Sequence, residues 1–290
     1  MVKECGFLKD RRVKMKQRLL TAAVGLSVLC LIFFFFGTWF FNFAIGLISA
    51  LAVFEVLKTT ECHKHKLLTG VSLVFALLVP FFRTPGFNLF GRIAVAGYLL
   101  VLFGVLLLQH ETIRFEKAAV TFMASLLIPF SMSTMIYMRD QFPRDGLFFS
   151  LLVFAGAWAA DTGGYFIGRF FGKHKLAPKI SPKKTVEGAI GGVVFNIAFF
   201  LLMGLGYFFC QQQMGASVEI HYIQMGIAGV ILALIGMLGD LAASLVKRQC
   251  GVKDYGSIFP GHGGIMDRFD SVLFVAPCLY VLLQFMTLVS

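Results

Sequence analysis

SLVKRQCGVKDYGSIFPGHGGIMDRFD, residues 244–270, is a polar island in a chain whose other long runs are almost free of charge. It gathers Asp254, His262, Asp267 and Asp270 with Lys247, Arg248, Lys253 and Arg268. Asp267 and Asp270 stand three residues apart, where the Gly-rich turn GHGG gives way to the apolar run beginning at Ser271. A helix starting there would put both carboxylates on one face, near enough to share a divalent cation. Two hard oxygen ligands beside a cluster of cations suit a Mg²⁺ that carries a polyphosphate. The competing reading is an ordinary polar loop with acids favouring a first helical turn.

Outward from the island, composition sets the class. The chain has 290 residues, 58% of them hydrophobic and only 14% charged, with 34 Phe. A soluble domain would be charged at about a quarter of its positions. The mean hydropathy of +0.82 therefore belongs to an integral membrane protein. The formal charge of +11 would raise nucleic acid as a partner of a soluble protein. In a membrane protein, Lys and Arg retained on cytoplasmic loops produce the same excess, so no nucleic acid is implied. Six cysteines lie scattered without a CxxC pair and read as small buried apolar groups. Cys62, His63 and His65 cluster in one short loop, but no second cluster at zinc-site spacing accompanies them.

A span needs about 20 apolar residues to cross the hydrocarbon core, and on that rule the sequence predicts an all-α polytopic protein of nine transmembrane helices. They fall near 19–36, 39–57, 67–82, 91–109, 118–137, 147–168, 187–210, 226–246 and 271–289. Seven cations precede the first run, which is long for a signal peptide and lacks a small-residue cleavage pattern, so it reads as an uncleaved span. Pro80 is expected to mark the end of the third. Nine spans with the N-terminus inside put 22 of the 26 Lys and Arg on the cytoplasmic side and leave Arg83, Arg92, Arg139 and Arg144 outside. That asymmetry predicts an N-in, C-out topology. It places the loops 169–186 and 247–270 on the cytoplasmic side, and with no targeting extension it suits a bacterial inner membrane.

Up to about residue 157 the spans are plain Leu, Phe and Val; beyond it Gly, Asp, Lys and Ser enter them. We therefore expect an N-terminal transmembrane scaffold over 1–146 and a catalytic half over 147–290. Glu55, the acid within a scaffold span, is expected to snorkel or to pair with Lys58. Asp161 lies inside the sixth span, in AWAADTGGYFIGR, and should face a water-filled or protein-lined cavity, or else bond a neighbouring helix. Gly163, Gly164 and Gly168 would let another helix approach closely.

In the loop GKHKLAPKISPKKTVEG, residues 172–188, Lys183 and Lys184 precede Thr185 and a helix start. Cations and free backbone N–H groups converge there, a place for phosphate oxygens, although the positive-inside rule alone would also fill this loop with Lys. Asp240, Ser244 and Lys247 fall at i, i+4 and i+7 on one helical face. They read either as a buried ion network or as a third carboxylate for the metal. His262, between two glycines, either packs structurally or touches substrate.

The island resembles the signature of phosphatidate cytidylyltransferases (CDP-diacylglycerol synthases). The matching positions are Ser244, Lys247, Arg248, Lys253, Asp254, Gly256, Phe259, Pro260, His262, Gly263, Gly264, Asp267, Arg268 and Asp270. SPKKTVEG, residues 181–188, looks like the family's second block, with Val186 where an aromatic residue is frequent. Coverage runs from about Trp158 to Ser271. The resemblance implies cytidylyl transfer from CTP to phosphatidic acid, giving CDP-diacylglycerol and pyrophosphate. It implies Asp240, Asp267 and Asp270 as ligands of Mg²⁺ accompanied by K⁺, and Lys247, Arg248, Lys253, His262 and Arg268 at the reacting groups. Ser181, Lys183, Lys184, Thr185, Ser244 and Asp161 are expected to bind substrate. The partners are then CTP, phosphatidic acid and the lipid bilayer, with a homodimer left open. Two rivals remain: a membrane kinase using CTP to phosphorylate a polyprenol or phytol, and a secondary transporter, which should show inverted repeats that this sequence lacks.

Overall fold

The computed structural model describes residues 20–83, 88–261 and 263–290. The basic N-terminal residues and His262 lie outside them. The described chain is helical almost throughout: α1 (Leu20–Phe34), α2 (Trp39–Thr59), α3 (Lys66–Leu78), α4 (Asn88–Leu108), α5 (Phe115–Gln141), α6 (Gly146–Phe171), α7 (Val186–Gln213), α8 (Tyr222–Gln249), α9 (Met266–Phe269) and α10 (Val272–Leu282). Six of these, α2 and α4 to α8, are long and apolar enough to cross a membrane. Leu20–Phe34 and Lys66–Phe81 are shorter apolar helical stretches, the second closing on a 3-10 turn that contains Pro80. The chain is an all-α membrane protein. Ile190, Val194 and Leu202 on α7 are each more than 60% exposed, a surface that hydrocarbon rather than water would solvate.

The chain divides into two compact units. One holds the described residues up to Pro129 together with Val252–Arg268; the other holds Phe130–Gly251 with Phe269–Ser290. In the first, Phe41, Val53, Leu57 and Val79 are fully buried. Asn42 Nδ2 donates to the Pro80 carbonyl at 2.9 Å, and the Tyr98 hydroxyl meets Ser72 and Ser125 at 3.0 and 2.5 Å. These polar side chains thus pair with one another or with backbone, as a dry interior favours.

In the second unit, α6, α7, α8 and α10 close on Leu152, Phe200, Leu232 and Val275, all fully buried. The α6–α7 seam is built from glycine. A Cβ at Gly188 would lie 2.7 Å from the Gly164 carbonyl oxygen, and one at Gly192 would lie 2.6 Å from that of Ala160. Only hydrogen at these positions lets the two backbones come this close. On α10, Pro277 has no N–H to offer the carbonyl four residues earlier. That carbonyl, of Leu273, accepts the Ser131 hydroxyl instead.

Three sequence expectations need correction. The loop 169–186 contains a hairpin, β1 (Lys175–Ala177) antiparallel to β2 (Ser181–Thr185), with Lys175 opposite Thr185 and Ala177 opposite Ser181. Its Lys- and Pro-rich sequence has no apolar alternation to announce strands. The last apolar run does not stay helical to 289. After Leu282 the chain turns; Ser290 and Glu219 exchange backbone hydrogen bonds, and the His221 N–H donates to the Leu288 carbonyl. Third, Asp267 and Asp270 do not share one helical turn, because α9 ends at Phe269 and α10 begins only at Val272.

Candidate active site

A cavity of about 470 Å³ opens in the second unit between α6, the hairpin, the start of α7 and Met237 of α8. Its walls carry Asp161, Tyr165 and Arg169 from α6, Lys175, Lys183, Lys184 and Thr185 from the hairpin, and Gly164, Gly168 and Gly188 from the close-packed seam. Asp161, Tyr165 and Arg169 are four residues apart in turn and so share a face. The Arg169 guanidinium donates to the Tyr165 hydroxyl at 2.9 Å.

Local chemistry fixes the rim. Thr185 caps α7: its hydroxyl accepts the Gly188 N–H at 3.1 Å. Glu187, in the first turn, accepts the backbone N–H groups of Lys173 and His174 at 3.0 and 3.2 Å and the His174 ring at 2.6 Å. The hairpin is thereby tied at its base to the end of α7 where the helix dipole is positive. Four cations, Arg169, Lys175, Lys183 and Lys184, surround this end of the helix, against the single carboxylate of Asp161 in the cavity wall. Such a recess attracts a polyanion.

One of the cations connects to the acid of α8, Asp240. Lys184 Nζ lies 2.5 Å from Asp240 Oδ2, and the Ser244 hydroxyl donates weakly to Asp240 Oδ1 at 3.4 Å. Lys247 and Asp270 are both buried, each 8% exposed. The stripe predicted from Asp240, Ser244 and Lys247 exists, and Asp270 faces it: a Cβ on Gly239 would be 3.0 Å from the Asp270 carbonyl oxygen. Burial first, and then the neighbouring Asp240 carboxylate, push the Asp270 carboxyl up to about 7. Arg248 reaches the Ile180 carbonyl at 3.4 Å.

Among the described residues no three carboxylate, imidazole or thiol groups converge as a metal cage. Asp270, buried, and Asp240, half-buried beside it, nonetheless offer two hard oxygen donors with their charge only partly offset, and that fits a divalent cation. Mg²⁺ typically takes one or two carboxylates and completes its shell with water and substrate phosphates.

The remaining signature residues belong to the first unit. There Asp267 Oδ2 accepts the backbone N–H groups of Tyr255 and Gly264 at 2.8 and 2.9 Å, drawing the loop 255–267 shut. Gly263, at φ +86, holds the turn in a conformation that side chains resist, and a Cβ there would be 2.8 Å from the same oxygen. Lys253 and Arg268 are exposed, as is Asp254. Cys62 is buried, its thiol near the Lys117 carbonyl at 3.6 Å.

Sequence reading missed Tyr165, Arg169 and Lys175. The spacing of the first two from Asp161 was a usable signal; Lys175 had none, because only the hairpin turns it inward. Of the two readings of Glu55, snorkelling fails: the residue is 3% exposed and accepts the Met266 N–H at 2.8 Å, with Lys58 contributing a favourable charge interaction.

Residues 16–286 match the cytidylyltransferase family. The chain is 36% identical over 280 residues to the phosphatidate cytidylyltransferase of Bacillus subtilis (strain 168), a similarity covering 93% of this chain and 98% of that relative. It is 34% identical to the enzymes of that name from Staphylococcus haemolyticus (strain JCSC1435) and Staphylococcus epidermidis, over 93% of this chain and 99% of each relative. With that similarity running almost end to end, the chain belongs to the cytidylyltransferase family.

Proposed function

We propose that this protein transfers the cytidylyl group of CTP to phosphatidic acid, releasing pyrophosphate and leaving CDP-diacylglycerol in the bilayer. The observation that carries this reading is the cation-lined cavity at the start of α7, linked through Lys184 to Asp240. The lipid phosphate monoester is largely ionised near neutral pH. One of its oxygens attacks the α-phosphorus of CTP in line; the new P–O bond forms as the bond to the β-phosphate oxygen breaks. The electron pair leaves with pyrophosphate, and no proton need be abstracted.

Arg169, Lys175, Lys183 and Lys184 hold the triphosphate and offset charge on the departing pyrophosphate. Ser181, Thr185, Ser244 and Asp161 contribute substrate contacts. Lys247, Arg248, Lys253, His262 and Arg268 join on the strength of the signature. Asp240 and Asp270, with Asp267 from its place in the same signature, are assigned to Mg²⁺ accompanied by K⁺; the divalent ion would supply charge neutralisation at the phosphates.

The same reading takes the chain as nine spans, N-in and C-out, in a bacterial inner membrane with the site facing the cytoplasm, and leaves room for a homodimer. Residues 1–146 serve as scaffold and the chain from 147 as the catalytic half. Support for the topology comes from the backbone hydrogen bonds between Ser290 and Glu219, which keep two groups assigned to the outer side together.

The test is a reaction of detergent-purified protein with phosphatidic acid and CTP labelled either on cytidine or on the γ-phosphate, with and without Mg²⁺. Cytidine label should enter the lipid phase only with Mg²⁺. With a polyprenol supplied in place of phosphatidic acid, entry of γ-label into that lipid would instead make the protein a kinase.

A further inference from the structure

Glu55 lies near the end of α2, 211 residues before the backbone it serves. A carboxylate taken out of water is costly unless it is bonded, so a buried acid inside an apolar helix is kept for what it holds. Here it holds the signature loop. The Met266 N–H donates to Glu55 Oε2 at 2.8 Å, and the Ile265 amide also lies at the carboxylate. Met266 opens α9, so the acid satisfies a donor at the first residue of the helix that carries Asp267 and Arg268.

Two signature glycines make the approach possible. A Cβ at Gly256 or at Gly264 would collide with the Glu55 carboxylate oxygens. In the structure both positions are flat seats for one side chain. The Thr59 hydroxyl, one turn further along α2, donates to the Tyr255 carbonyl at 3.3 Å. The loop is thus gripped twice, by Asp267 Oδ2 on the Tyr255 and Gly264 amides and by Glu55 on Met266.

We propose that Glu55 is a positioning residue for the transfer reaction: its buried carboxylate fixes the loop Gly256–Met266 and so sets where Asp267 and Arg268 stand. This rests on the cytidylyltransferase reading of that loop. It gives the first half of the chain a part in the chemistry through one hydrogen-bonded side chain.

The experiment uses full-length protein in detergent, comparing Glu55→Ala and Glu55→Gln with the unsubstituted chain. Hydrogen exchange is followed across 255–267 and across α7 and α8, and steady-state kinetics are measured with CTP and phosphatidic acid. Glu55→Ala should speed exchange in 255–267 while α7 and α8 keep their protection. It should also lower kcat by about tenfold to a hundredfold with the KM for CTP within about twofold, the signature of misplaced groups rather than lost binding. Glu55→Gln, which retains a carbonyl acceptor for Met266, should recover much of the rate. Unchanged exchange and kcat in Glu55→Ala would overturn the proposal, and so would an equal loss of protection across all helices. Should Glu55→Ala fail to fold, Gly264→Ala, which pushes a methyl against the carboxylate, should give the same local exchange and kcat pattern. If the unsubstituted chain makes no CDP-lipid, the functional reading fails, and the exchange at 255–267 alone decides whether Glu55 holds the loop.

Discussion

Lys184 and Asp240 are the pair on which residue-scale tests should turn. Lys184 both faces the cavity and lies 2.5 Å from the Asp240 carboxylate. Lys184→Ala should cut kcat/KM for CTP by about tenfold to a hundredfold, the cost of one charged hydrogen bond to phosphate, measured by CTP titration at saturating phosphatidic acid. Asp270 gives a pH prediction. Its carboxyl, held up to about 7 by burial and by Asp240, favours the neutral form in the folded protein. Its contribution to stability is therefore full below the ordinary carboxylate range and is lost as pH rises through about 7. In chelator the thermal midpoint should fall between pH 5 and pH 8, and Asp270→Asn should flatten that slope; an unaltered slope in the variant would remove Asp270 as its source. At this scale the stripe of Asp240, Ser244 and Lys247 was legible from spacing. Glu55 was not, because its partner lies in a distant part of the chain and nothing near it in sequence differs from an ordinary helix end.

At the scale of elements, the α6–α7 seam makes a sharp contrast between glycines of the same helix. Gly192→Ala puts a methyl against the Ala160 carbonyl oxygen, and overpacking of this kind costs about 1–3 kcal/mol. Gly206→Ala meets nothing within 4 Å and should be neutral or stabilise by up to about 1 kcal/mol through helix propensity. Thermal unfolding in one detergent compares the two. Because the seam forms a wall of the cavity, Gly192→Ala should also weaken CTP binding, whereas Gly206→Ala should not. The sequence announced close helix approach through Gly163, Gly164 and Gly168, but not which glycines on α7 answer them. The hairpin escaped notice for a related reason: its strands are short and polar, held by Glu187 and by backbone pairing rather than by a buried face.

For the whole molecule, topology is the quantity to measure. In a cysteine-free background, Ala216→Cys should react with a membrane-impermeant maleimide in intact cells, and Lys179→Cys should react only after permeabilisation. The reverse pattern would turn the proposed orientation over. Composition, apolar run length and the signature by themselves determined that this is an all-α membrane protein of the cytidylyltransferase family. They could do so because the hydrocarbon requirement and the chemistry of phosphates are written in local residue types. Only the tertiary structure decided that Lys175 and Arg169 join Lys183 and Lys184 around one cavity, that Asp270 is buried beside Asp240, and that an acid from α2 seats the signature loop. Those depend on which segments come together, and in a chain apolar nearly everywhere the pattern of hydrophobic residues says little about which helix faces which; close packing and the pairing of buried polar groups settle it.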